Sequence, residues 1–142
     1  MLELAVTLDS KAHAVNQPTS GRLMLKNSGE EALLVNSRLA INKPFAPEPF
    51  REVYFILTNP SGESVEFSAK INIGEPQTKD FLELAPGETA ERAFELDLFY
   101  ALDRPGEYSV QAVYSNQSDP GDGRQAWKGK LESNRASFVL ES

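Results

Sequence analysis

The sequence predicts an all-β chain, arranged as a two-sheet antiparallel sandwich of roughly seven to nine strands. Three observations point there. Short runs alternate apolar and polar residues, the period of a half-buried strand. Turn residues separate those runs at intervals of about ten residues, the spacing of all-β folds. No longer stretch keeps a helical period without a proline or glycine interrupting it. With 142 residues, no internal repeat and no linker-like tract, residues 1–142 read as one domain large enough to bury its own core.

Taken in order, Leu2, Leu4, Val6 and Leu8 alternate with Glu3, Ala5 and Thr7, which predicts a first strand. Turn chemistry follows over 16–21, around Pro18 and Gly21. Leu23 and Leu25, set between Arg22, Met24 and Lys26, give a second strand that Asn27-Ser28-Gly29-Glu30 closes. A third is expected from Ala32 to Ile41. The segment 42–50 carries Pro44, Pro47 and Pro49, which forbid helix and central strand alike. Val53 to Thr58 is strand again. Asn59-Pro60-Ser61-Gly62 turns the chain, and Ser64 to Phe67 reads as the returning arm of a hairpin. From Lys70 to Phe81 the pattern is weak, with Ile71 and Ile73 suggesting a brief strand before Gly74 and Pro76.

The clearest stretch runs from Leu84 to Tyr114. Pro86-Gly87 opens it, and Phe94, Leu96 and Leu98 share one strand face opposite Glu95 and Asp97. Asp103-Arg104-Pro105-Gly106 breaks the chain. Tyr108, Val110, Ala112 and Tyr114 then line the same core from a second strand. A polar loop over 115–124 leads to short strands expected at Trp127–Leu131 and Ser137–Leu140.

Composition narrows the function. Net charge is -7, from 21 acidic against 14 basic residues, and no Lys/Arg cluster occurs, so a nucleic-acid partner is not expected. With no cysteine, thiolate catalysis, disulfides and sulfur-ligated metals are excluded. Apolar runs fall far short of the ~20 residues that span a bilayer, so no membrane insertion is expected. No charged leader precedes an apolar stretch, which predicts a cytoplasmic chain unless a leader or neighbouring domains lie outside it.

Catalytic constellations fail on histidine. His13 is the single one, so a His-Glu-x-x-His metal site cannot form, and no Gly-x-Ser-x-Gly elbow is present. No catalytic residue, cofactor or metal is expected, and the chain reads as a non-enzyme. Asp119 and Asp122 sit in a glycine-rich loop that lacks the acidic series and final glutamate of a calcium-binding hand, so they read as turn chemistry. Glu88, Glu91 and Glu95 read as a solvated strand face. Asn116-Gln117-Ser118 is a glycosylation sequon, meaningful only on a eukaryotic secretory route.

Three aromatic side chains are binding candidates. Prolines hold the 43–50 loop extended and so lower the cost of presenting Phe45 and Phe50 to a partner. The plainer alternative is that both rings fold back over an open end of the fold. Trp127, beside the 115–124 loop, either stacks on a sugar, anchors a protein or packs at the rim.

Asp103, Gly106, Tyr108 and Val110 make the pattern Asp-x-x-Gly-x-Tyr-x-Val. It resembles the structural corner leading into strand F of immunoglobulin-like domains, where the tyrosine hydroxyl bonds back to the backbone. The chain departs from antibody domains in having no cysteine pair and in carrying Trp127 after this strand. A wider similarity runs over about the last two-thirds of the chain. Asn27-Ser28-Gly29-Glu30-Glu31, Leu84-Ala85-Pro86-Gly87-Glu88, Leu98-Phe99-Tyr100-Ala101-Leu102 and Pro105-Gly106-Glu107-Tyr108 resemble the non-catalytic sandwich of lysine-specific metalloendopeptidases and the small intracellular proteinase inhibitors. The segment Trp127 to Asn134 is similar to stand-alone bacterial domains of that kind. The resemblance implies a non-catalytic interaction or accessory domain, of a peptidase-inhibitor kind, whose partner is another protein. A carbohydrate-binding module and a structural spacer in a longer protein are the alternatives.

Overall fold

The computed structural model describes residues 1–47 and 50–142. The chain is all-β. Its strands are β1 (Leu2–Leu8), β2 (Ala12–Ala14), β3 (Ser20–Asn27), β4 (Leu33–Asn36), β5 (Val53–Thr58), β6 (Phe81–Leu84), β7 (Thr89–Glu95), β8 (Gly106–Asn116) and β9 (Gly129–Glu141). Single 3₁₀ turns at Thr78–Asp80 and Leu96–Leu98 are the helical elements among the described residues. None is long and apolar enough to cross a membrane.

One sheet has the order β1-β3-β7, the other β2-β9-β8-β5, and β4 pairs with β6. All these pairings are antiparallel except β2 with β9. The two larger sheets share one core. Leu4, Val6, Leu23, Leu25 and Phe94 from the first meet Val53, Phe55, Leu57, Val110, Ala112 and Phe138 from the second. Phe55 and Phe94 touch across the gap, ring centres 4.9 Å apart. Period-2 patterning is what makes this possible: β1 buries Leu2, Leu4 and Val6 and leaves Glu3 and Thr7 in water.

Several sequence expectations shift, each for a local reason. The strand expected over 32–41 ends at Asn36. Beyond it Leu39 takes a left-handed backbone (φ 52°) while wholly buried, and Ile41 makes only an isolated bridge to Val53. Ser64 and Phe67 form single bridges, to Thr58 and Tyr100, in place of a hairpin arm. Ile71 and Ile73 lie outside any strand, whereas Phe81–Leu84 pairs with β4. Leu98 leaves the core face because the chain winds into a 3₁₀ turn at Leu96, so Phe94 and Leu96 stay buried and Leu98 is exposed. Gly129–Leu131 of the piece expected at Trp127–Leu131, and all of that expected at Ser137–Leu140, belong to one long strand, β9, which a bulge opposite Ala112 interrupts; Trp127 and Lys128 stay in the loop before it.

At the bulge Ser133 and Asn134 point to opposite edges of β9. The Ser133 hydroxyl accepts from the Ala112 amide at 2.8 Å, replacing the lost ladder bond. The Asn134 amide reaches the other way and bonds Val6 on β1 twice, accepting from its N–H at 2.9 Å and donating to its carbonyl at 3.0 Å.

Candidate binding site at the proline-rich loop

The loop ahead of β5 is held at its base by one buried amide. Asn42 donates from Nδ2 to the Phe50 carbonyl at 3.0 Å and accepts from the Lys43 N–H at 2.8 Å, so both ends of the loop are fixed to a single side chain. Arg51 donates to the Pro44 carbonyl at 3.0 Å. Between them a turn closes from the Ala46 amide to the Lys43 carbonyl, with Ala46 buried. Glu48 and Pro49, also part of the predicted loop, lie outside the described residues. Phe45 is 76% exposed, with the Lys43 ammonium 5.1 Å from its ring centre. Phe50 is half-buried.

Beneath the loop lies a buried polar floor. The Glu52 carboxylate accepts from Arg38, including Nε at 3.0 Å, and from the Ala40 amide at 3.2 Å. Arg38 also donates to the Gly74 carbonyl, which ties the weakly patterned 70–77 segment to the same carboxylate. Tyr114 donates its hydroxyl to the Asn36 carbonyl at 2.9 Å. Burial, with the nearby Glu52 charge adding to it, pushes that phenol well above its ordinary range.

Register brings a second loop to the same end. Val53 at the start of β5 stands opposite Tyr114, and Asn116 at the end of β8 stands opposite Gly129, so loop 117–128 emerges beside the 42–52 loop. Trp127 is half-buried there. Its amide donates to the Leu34 carbonyl at 2.7 Å and its ring stacks on Tyr114 at 5.8 Å. Asp119 accepts from Lys128 Nζ at 2.7 Å and from the Ala126 amide, and Asp122 pairs with Arg124. These donors hold both carboxyls below the usual carboxylate range. Both carboxylates are thus taken up inside the loop, as its turn chemistry suggests. Asn116 of the sequon is 2% exposed, and its Nδ2 donates to the Ser118 and Trp127 carbonyls, so that nitrogen is committed to the fold.

The remaining candidates sit at the opposite end. The Tyr108 hydroxyl donates to the Arg104 carbonyl at 2.8 Å. Gly106 (φ 129°) is required on two counts, its positive φ and the Pro60 ring 2.6 Å from where a Cβ would stand. Asp103 is exposed in the connection just before them. His13 on β2 stacks on Phe138 and meets the Thr19 hydroxyl at 2.7 Å, while its Nδ1 is buried without a partner. Among the described residues no group of three or more acidic or histidine side chains gathers to hold a metal ion.

Asn42, Arg51, Glu52 and Arg38 build this end of the molecule, and sequence reasoning missed all four. Their partners are backbone groups or residues far along the chain, and no periodic signal marks them. The adjacency of Asn42 and Arg51 to the prolines was the one available hint. No protein-family model matches the chain, and no curated protein does.

Proposed function

We propose that this chain is an immunoglobulin-like sandwich acting as a non-catalytic protein-interaction module through Phe45 on its proline-rich loop. The fold reading is supported by the sheet order, by the way β1 and β2 divide the N-terminal segment between the two sheets, and by the tyrosine bond at the 104–108 corner. The observation that carries the function is the contrast between two aromatic rings. Phe45 stands 76% exposed on a loop pinned by Asn42 and Arg51, whereas Trp127 leans on buried Tyr114. A solvent-facing aromatic on a pre-ordered loop is an anchor whose ordering cost is already met by the fold. A sugar-stacking reading needs an open tryptophan face, and Trp127 has one face against Tyr114.

The test is capture of binding proteins from lysate by the wild type, Phe45→Ser and Trp127→Ala. Phe50 is left unchanged because it is half-buried. The expected result is a captured protein that Phe45→Ser loses while keeping its melting temperature. Binding that survives Phe45→Ser but vanishes with Trp127→Ala, or glycan binding that depends on Trp127, overturns the reading.

A further inference from the structure

Where β1 passes β9, two strand edges face each other without pairing. Backbone groups of alternate residues point to opposite edges of a strand. The Met1 carbonyl and the Asp9 amide bond toward β3, and Val6 bonds away from it. The N–H and C=O of Leu8 therefore point away from β3 as well. On β9 the Val139 amide donates outward to the Lys11 carbonyl, so those of Ser137 and Arg135 point outward too. The strands run in the same direction, with Val6 beside Asn134 and Lys11 beside Val139. Between these two ties lies a groove of about 470 Å³, lined by Thr7, Leu8, Lys11, Arg135, Ala136 and Ser137. Its walls carry unpaired backbone donors and acceptors on both sides.

The groove is also positively charged in a chain of net charge -7. Lys11 and Arg135 are exposed and have no ion-pair partner among the described residues, and no acidic residue lines the groove. We propose that this seam binds an extended acidic peptide segment, which pairs its backbone with Leu8 and Ser137 and places a carboxylate against Lys11 and Arg135. Along β9 the open stretch from Asn134 to Val139 measures about 16 Å at a strand rise of ~3.3 Å per residue, room for about four or five peptide residues. Backbone pairing supplies affinity and the two cations supply selectivity, the division of labour seen when a peptide adds to a sheet edge. The bulge at Ser133–Asn134 marks one end of the groove, where the Asn134 side chain takes the place of direct pairing between the two edges. This surface is separate from the Phe45 loop and does not depend on its reading.

The experiment selects a displayed random heptapeptide library on the wild-type chain and re-tests the winners on Lys11→Glu/Arg135→Glu. Amide hydrogen exchange with and without a selected peptide gives the location. The expected result is enrichment of acidic sequences, at least about tenfold weaker binding to the double variant at unchanged melting temperature, and about tenfold slower exchange at Leu8 and Ser137. No enrichment, equal binding to the double variant, or protection falling on the 43–50 loop each overturns the proposal. A double variant that fails to fold is replaced by Lys11→Gln/Arg135→Gln, for which the same outcomes decide.

Discussion

The outer edges of β5 and β1 start from the same difficulty and end differently. A strand at the border of a sheet presents every second residue's N–H and C=O to whatever comes near. On β5 those residues are covered in succession. Val53 bonds Ala40 and Asn42, Phe55 bonds both ways to the Tyr100 hydroxyl, and Leu57 accepts from Val65. On β1, by contrast, a single side chain, Asn134, covers Val6. Covering β5 takes irregular chain from three separate segments, 40–42, 65 and 100, so it is a by-product of the loops. At β1 the nearest chain is another strand, and the bulge in it leaves a gap. An edge sealed by loops has no room for a visitor. One bridged by a single amide has room on either side of it.

Substitutions sharpen this comparison, beginning with the largest expected effect. Glu52→Ala removes the acceptor that holds Arg38 and the Ala40 amide where the covering segment meets β5. Since Arg38 keeps 21% of its side-chain surface, the expected loss is about 3 kcal/mol, at the low end for breaking a buried pair, read by chemical denaturation. Tyr100→Phe leaves both Phe55 backbone groups without their cover and should cost about 1–3 kcal/mol, with faster exchange of the Phe55 amide as the local signature.

The same hydroxyl predicts a pH dependence. Burial pushes the Tyr100 phenol up to about 12, partly countered by its bond to the Phe55 backbone. A raised folded-state value means the neutral form is favoured on folding. Its stabilisation is therefore complete below the unfolded value of about 10 and is lost as pH rises from there through about 12. Wild type should lose stability across that window more steeply than Tyr100→Phe. Parallel curves would show that the hydroxyl does not titrate with unfolding.

At the opposite end from the proline loop, Tyr108→Phe should cost on the order of 1–2 kcal/mol through its bond to the Arg104 carbonyl, and an unchanged melting profile would count against that bond. Smallest is Asn134→Ala, about 1 kcal/mol, because Asn134 is exposed and water can replace its amide at Val6. Here the Val6 amide should exchange faster while Phe55 is untouched, and a loss as large as that of Tyr100→Phe would erase the contrast between the two edges.

Much of the fold was legible residue by residue. Alternation in Leu2–Leu8 and Tyr108–Tyr114 placed two strands, because burying one face of a pleated strand needs nothing beyond period 2. Pro60-Ser61-Gly62 and Pro105-Gly106 marked turns because proline and glycine act on their own backbone. The three prolines of the 42–50 segment marked an irregular loop, yet which of its two phenylalanines faces solvent was not readable, since that depends on Ala46 and Asn42 being drawn inward.

Patterning by itself thus determined the all-β class and most strands, and composition the lack of any cysteine or second histidine. Tertiary structure alone decided the rest: that β2 parts from β1 to join β9, that Leu39 accepts a left-handed backbone, and that a bulge turns Asn134 toward Val6. The physical reason is one of range. Burial periodicity and turn preference are carried by neighbours in sequence, whereas the partner of a polar side chain is chosen by what the folded chain brings within about 3 Å of it.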